Sequence, residues 1–293
     1  MYTTCDTFGR ESKGENAISA IESSARDTFF ERIRLRQKEI RSRLCVGLDP
    51  DLARIPEVLK SSRTPIFDFN KAIIDATCDL ASCFKPQIAH FASVAAEDQL
   101  LHTIEYARQK NVPVLLDAKR GDVGSTAEMY ARELFERYGA DAATVNPYLG
   151  LDSLEPYLEY ADRGVFILCR TSNPGGADLQ HLVLENGETL YEHVARLASS
   201  VWNRNENVGL VVGATRPDEL RHIREICGDM TFLLPGVGAQ GADIGEMMGA
   251  GQGGGMLISS SRAILYASAG EDFAEAARDV AVATRDEINR FSN

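Results

Sequence analysis

Short apolar runs alternate with longer amphipathic stretches along most of the chain, and each run ends in a polar cluster. Leu44-Cys45-Val46-Gly47-Leu48 has the continuous apolar character of a strand buried on both faces, and it stops at Asp49-Pro50-Asp51. A helix opening at Thr64-Pro65, where proline suits the first turn, runs to about Leu80 and leads to a strand at Ser82–Phe84 ending in Lys85-Pro86. A helix from about Ala92 to Lys110 precedes the strand of Val112, Val114, Leu115 and Leu116, which ends in Asp117 and Lys119. Asp122 then opens a helix in which Val123, Ala127, Tyr130, Leu134 and Tyr138 recur at helical spacing, with Gly139 placed to stop it. The alternation continues through strands at Ala142–Val145, Val165–Cys169, Gly209–Val212, Phe232–Leu234 and Met256–Ser259. The helices between them are expected near Leu151–Tyr160, near Glu188–Arg204 and from Pro217, with a short one before the last strand. Two more helices flank the array, one around Phe29, Phe30, Ile33, Leu35 and Ile40, placed to cover the bottom of the domain, and one around Phe273, Ala277, Val280, Ile288 and Phe291.

Eight alternating βα units predict a closed (β/α)8 TIM barrel, since parallel strands need crossovers and eight of them close well. A doubly wound open sheet is the alternative; it normally carries a G-x-G-x-x-G turn after its first strand, and none follows Leu48. Residues 1–25, rich in Ser, Thr, Gly, Glu and Asp, read as an N-terminal extension, which leaves 26–293 as the barrel domain.

In a barrel, functional groups stand at the C-terminal ends of the strands. Asp49, Lys85, Asp117 and Lys119 all fall there, after strands one, two and three. The turns after strands seven and eight, Pro235-Gly236-Val237-Gly238-Ala239-Gln240-Gly241 and Ser260-Ser261-Arg262, occupy the place where barrels commonly bind phosphate. Gly236, Gly238 and Gly241 would let backbone N–H groups approach an oxyanion, and Arg262 would supply a bidentate cation. A plainer reading stands beside this one: Asp117 and Lys119 as a surface ion pair, Asp122 as an ordinary helix N-cap, and the glycines as ordinary tight turns.

Composition narrows the field. A formal charge of −12 argues against a protein that coats nucleic acid or an anionic membrane, though a local basic pocket can still hold a small anion. The six cysteines include no C-x-x-C pair and several lie in apolar runs, as expected of reduced core thiols in a cytoplasmic protein. The five histidines show no H-E-x-x-H spacing, so no zinc site is expected. No run of 18 apolar residues and no secretory start is present, and the cytoplasm is the expected compartment.

Six ordered motifs between Leu44 and Arg262 resemble the orotidine 5′-phosphate decarboxylase family, in its bacterial type-2 branch. They are Gly47-Leu48-Asp49, Phe84-Lys85-Pro86, Asp117-Ala118-Lys119-Arg120-Gly121-Asp122 with Thr126, Ser172-Asn173-Pro174-Gly175, the turn from Pro235 to Gly241, and Ser260-Ser261-Arg262. The resemblance implies decarboxylation of orotidine 5′-phosphate to uridine 5′-phosphate, the last step of de novo UMP biosynthesis, with no metal or organic cofactor. It implies that Asp117 and Lys119 flank the pyrimidine C6, with Lys119 as proton donor, and that Asp49 and Lys85 hold the ribose hydroxyls and complete the charge array. Asp122 and Thr126 would reach into the neighbouring subunit's site in a homodimer. Ser172, with Thr171, would read the pyrimidine amide edge. Gln240, Arg262 and the backbone near Ser261 would bind the 5′-phosphate, and Pro235 would line the pocket.

Two other functions remain open at this point. A sugar-phosphate decarboxylase or aldolase of the same superfamily would use D-x-K-x-x-D together with Mg²⁺, and a phosphate-ligand sensor could keep the scaffold without catalysis. Lys85 and the Ser172-Asn173-Pro174-Gly175 turn favour the nucleotide over the sugar phosphate, and the charge alternation from Asp117 to Asp122 disfavours the sensor.

Overall fold

The computed structural model describes residues 28–213, 215–236 and 243–292. Eight parallel strands form one sheet: β1 (Leu44–Leu48), β2 (Cys83–Pro86), β3 (Leu115–Arg120), β4 (Ala142–Val145), β5 (Gly164–Arg170), β6 (Val208–Val212), β7 (Phe232–Pro235) and β8 (Met256–Ser260). The ladder runs β2-β1-β8-β7-β6-β5-β4-β3. Its two ends are joined by parallel bridges Phe84↔Val114 and Gln87↔Asp117 and by the Phe84 N–H donating to Pro113 C=O at 3.0 Å. The strands thus close into the expected (β/α)8 barrel rather than lying open.

Alternation along each strand separates two apolar compartments. Outward residues such as Leu44, Val46, Phe84, Leu116, Ile167, Leu234 and Ile258 pack against the helix layer. Inward residues Cys45, Cys83, Leu115, Ala142, Phe166, Val211, Leu233 and Leu257 form a separate cluster at the N-terminal end of the barrel, closed by Phe29 and Ile33. These two side chains come from α1 (Phe29–Ile40), which starts at a capping box: the Thr28 N–H donates to Glu31 Oε2 at 2.8 Å, and the Glu31 N–H donates to Thr28 Oγ1 at 3.3 Å. Phe29 stands edge-on to Phe166, with ring centroids 5.9 Å apart. Gly164 makes room for this plug, because a Cβ there would lie 2.5 Å from the Phe29 ring.

The helix expected from about Ala92 to Lys110 is two helices, α2 having been Pro65–Thr77: α3 (Ile88–Ala92) and α4 (Glu97–Gln109). The break falls at Ala95, whose φ of +53° lies outside helical space. The next helix, α5 (Gly124–Arg132), gives way to a π-helical turn at Glu133–Arg137. Asp122 is not its N-cap; Val123 takes that position, and Asp122 Oδ1 accepts the Val123 N–H at 2.8 Å. After α6 (Leu151–Leu158) and the short α7 (Ala177–Gln180), α8 (Leu190–Ser199) is shorter than Glu188–Arg204 because the backbone leaves helical space at Ser200. The remaining helices are α9 (Pro217–Cys227), α10 (Ile244–Gly251), α11 (Arg262–Leu265) and α12 (Phe273–Arg290). The proposed extension, 1–25, lies outside the described residues. Among the described residues all five cysteines are free thiols, four of them buried, and no helix is long and apolar enough to cross a membrane.

Candidate active site

One step further along the inward faces, the apolar plug gives way to charge. Lys85 on β2 and Asp117 on β3 project into the mouth with side chains only 6% and 12% exposed, and Lys85 Nζ donates to Asp117 Oδ2 at 3.1 Å. Lys119 Nζ donates to the other oxygen, Oδ1, at 2.5 Å, and its side chain is 44% exposed. One carboxylate therefore bridges a buried ammonium and an accessible one. Burial opposes ionisation of Asp117, but Lys85 and then Lys119 outweigh it and hold the carboxyl below the usual carboxylate range. Burial likewise opposes the Lys85 ammonium, and the carboxylates of Asp117 and Asp49 outweigh it, raising its pKa above an ordinary lysine. Lys119 reaches its position from a left-handed backbone, φ +49°. For a non-glycine residue that conformation is strained by about 1–3 kcal/mol and persists only where surrounding contacts enforce it.

Asp49, just past β1, is held through its backbone: the Tyr266 hydroxyl donates to Asp49 C=O at 3.0 Å, and His90 Nδ1 lies 2.9 Å from Pro50 O. Its Oδ1 is buried with no hydrogen-bond partner among the described residues. Gly47 lies one inward position below, and it must be glycine: a Cβ there would fall 1.7 Å from Ser261 Oγ. The first of the six motifs and the last thus interlock at the β1–β8 seam.

The loop after β5 carries Thr171 and Ser172. Thr171 is tied into the loop itself, its hydroxyl donating to Asn173 Oδ1 at 2.6 Å and accepting from Gln180 Nε2 at 2.9 Å. Ser172 packs beside Gly213 at the end of β6, where a Cβ would come 3.0 Å from the Ser172 nitrogen. Pro235 closes β7 in register with Ser259, and Arg262 opens α11, exposed and without a carboxylate partner among the described residues. Gln240, Gly238 and Gly241 lie outside the described residues. Asp122 and Thr126 are not drawn into the cluster: among the described residues neither hydrogen-bonds nor ion-pairs with Lys85, Asp117 or Lys119. His90, His181, His193 and His222 serve as local hydrogen-bonding groups and His102 stands edge-on to Phe67, and among the described residues no three metal-ligating side chains converge.

One residue at the centre of the mouth carries no mark in the sequence. Thr144, inside the apolar strand β4, donates its hydroxyl to Asp117 Oδ1 at 2.8 Å. Only the inward parity of its position could have drawn attention to it.

The model of the Orotidine 5'-phosphate decarboxylase / HUMPS family matches residues 42–280. The chain belongs to this family. It is 57% identical over 269 residues to the orotidine 5′-phosphate decarboxylase of Janthinobacterium sp. (strain Marseille), covering 90% of this chain and 99% of that one. Among solved structures, the Leishmania donovani OMP decarboxylase superposes with a TM-score of 0.78 at 38% identity, over 90% of this chain and 98% of that one. A putative orotidine-monophosphate decarboxylase from Toxoplasma gondii superposes with a TM-score of 0.81 at 35% identity, over 90% and 97% of the two chains. The matched stretch takes in every strand of the barrel and every candidate residue from Asp49 to Arg262.

Proposed function

We propose that this chain decarboxylates orotidine 5′-phosphate to uridine 5′-phosphate and CO2, the last step of UMP biosynthesis, and that Lys119 protonates C6. The observation that carries the reading is the bridged array Lys85–Asp117–Lys119 at the mouth of the barrel. When the C6–carboxylate bond breaks, CO2 leaves and the electron pair remains at C6, in an in-plane orbital that the ring delocalises poorly. A fixed cation beside that carbon stabilises the developing charge, and loss of one preorganised group of this kind costs about 10²–10³ in rate. Lys119 then transfers its Nζ proton to C6, which completes the product. Asp117 is held anionic and Lys85 cationic by each other, so the lysine that must give up a proton is the accessible one.

The remaining roles follow the same logic. Asp49 Oδ1, buried and unpartnered, suits a ribose hydroxyl as donor, with Lys85 beside it. Arg262 and the backbone at Ser261 would hold the phosphate together with Gln240, Pro235 would line the pocket, and Ser172 with Thr171 would face the pyrimidine edge. No step of this scheme requires a metal or organic cofactor. The whole-length relatives carry the decarboxylase name, which favours this reading over a Mg²⁺-dependent sugar-phosphate enzyme. The direct test follows orotidine 5′-phosphate absorbance and CO2 release with excess chelator: undiminished turnover is expected, and activity that EDTA abolishes would favour the sugar-phosphate reading.

The enzyme is further read as a cytoplasmic homodimer with shared sites, with 26–293 as its catalytic domain. Val123, Met129, Tyr148 and Leu149 are exposed apolar side chains on two segments joined by the Asn146 N–H donating to Arg120 C=O at 2.7 Å. Asp122 and Thr126 lie within this surface, consistent with their serving a partner's pocket across a two-fold axis. Mixing inactive Lys119→Ala with inactive Asp122→Ala protein under subunit exchange should then restore roughly a quarter of wild-type activity, since half the dimers are mixed and each has one intact pocket. No recovery despite proven exchange would return Asp122 to its own subunit.

A further inference from the structure

Strands β3 and β4 pair in register up to Leu116↔Ala143 and resume at Arg120↔Val145. Between those points Asp117, Ala118 and Lys119 stand opposite a single residue, Thr144. Such a bulge interrupts the ladder and frees backbone N–H groups. Thr144 Oγ1 takes two of them, accepting from Ala118 N and from Lys119 N, each at 3.0 Å. Its own proton goes to Asp117 Oδ1 at 2.8 Å. A hydroxyl has one proton and two lone pairs, and here all three are engaged. Because both lone pairs are occupied by N–H donors, the proton has only the carboxylate to point at.

The structure assigns Thr144 as the positioning residue of this site: one hydroxyl fixes the bulge that turns Lys119 into its left-handed conformation and orients the carboxylate to which Lys119 is tied. This inference rests on the reading of Lys119 as proton donor and extends it to what holds that lysine. The two effects are coupled. Without the hydroxyl, two buried N–H groups lose their acceptor, the bulge loses what favours it over a regular ladder, and Lys119 loses what enforces φ +49°. A misplacement of a reacting group by about 1 Å is enough to cost on the order of 100-fold in rate. Among the described residues no group proposed to hold the phosphate hydrogen-bonds Thr144, and Lys85 is tied to the other oxygen of Asp117, Oδ2, so binding should survive.

The experiment compares Thr144→Val, which keeps the shape and removes the oxygen, with Thr144→Ser, which keeps the oxygen and removes the methyl, beside Lys119→Ala. Steady-state kinetics on orotidine 5′-phosphate and direct titration with uridine 5′-phosphate, which carries hydrogen in place of the carboxylate at C6, give the readouts. Thr144→Val should lower kcat about 100-fold while KM and the Kd for uridine 5′-phosphate stay within about threefold. Thr144→Ser should remain within about fivefold of wild type in kcat, because the hydrogen bonds are retained. If Thr144→Val does not fold, Thr144→Ala against Thr144→Ser makes the same comparison. Wild-type kcat in Thr144→Val, or Thr144→Ser falling as far as Thr144→Val or Thr144→Ala, overturns the assignment while an inactive Lys119→Ala leaves the proton-donor reading standing. Normal turnover by Lys119→Ala instead removes the reading beneath both.

Discussion

Along β1, β2 and β3, the inward residues nearest the N-terminal end of the barrel are Cys45, Cys83 and Leu115, while those beyond them are Gly47 and Asp49, Lys85, and Asp117 and Lys119. The lower set packs under Phe29 and Ile33; the upper set is a network of opposite charges with little water around Lys85 and Asp117. Two residues of strand, about 6–7 Å, separate a region that stabilises the fold from one that opposes burial and is held by countercharge. In the lower region one apolar side chain can be exchanged for another of similar volume at modest cost. In the upper region each group depends on its partner, because breaking one side of a buried ion pair leaves the other uncompensated.

Phe29→Ala probes the lower region alone. A phenylalanine with no exposed surface, truncated to alanine, should cost about 3–5 kcal/mol in denaturant unfolding, with kcat per folded molecule unchanged. A loss of kcat in protein shown to be folded would mean that the plug tunes the mouth, and the separation would fail.

Asp117→Asn probes the upper region and should cost about 3 kcal/mol at neutral pH, with activity lost as well. In the wild type, the raised Lys85 contributes stability that is present below the ordinary lysine pKa of about 10.4 and is lost as pH rises through its raised folded value. The depressed Asp117 contributes stability that is present above about pH 4 and is lost as pH falls toward its lowered folded value. Without Asp117, burial pulls Lys85 below its unfolded pKa, so the unfolded chain binds more protons and stability rises with pH. The deficit of Asp117→Asn measured by unfolding at pH 6 should therefore exceed that at pH 9.5. A deficit independent of pH would show that Asp49 alone keeps Lys85 charged.

Arg262→Ala should have the smallest effect, raising KM for the nucleotide about tenfold or more with little change in folding, since the side chain is exposed. Added guanidinium should recover part of that loss. An unchanged KM would place the phosphate elsewhere in the mouth.

The strands were legible in the sequence because a parallel strand buried on both faces is an unbroken apolar run, but their ends were not: β2 runs on past Phe84 through Lys85, and β3 past Leu116 through Asp117 and Lys119. Asp49, Lys85, Asp117 and Lys119 were identifiable as the charges that follow those runs. Helix limits were legible only in part. The break at Ala95 is a backbone conformation that no side chain announces, whereas the start of α8 carried a readable signal, the Thr189-x-x-Glu192 capping box. Asp122 looked like an N-cap, but Gly124, with φ +54°, shifts the start of the helix and leaves the carboxylate outside it. Thr144 was not legible, since its role arises from a mismatch in register between two strands that share no sequence signature.

The claim that the mouth performs the chemistry while the barrel beneath it provides the stability is tested most directly by measuring kcat, uridine 5′-phosphate affinity and unfolding free energy on Lys119→Ala protein. The account predicts a loss of turnover of at least about 10³-fold, since both the cation and the proton donor are removed, product binding within about threefold, and stability within about 1 kcal/mol of wild type, because the lysine is partly exposed and Asp117 keeps Lys85 and Thr144 as partners. Decarboxylation within tenfold of wild type by folded Lys119→Ala protein would contradict it.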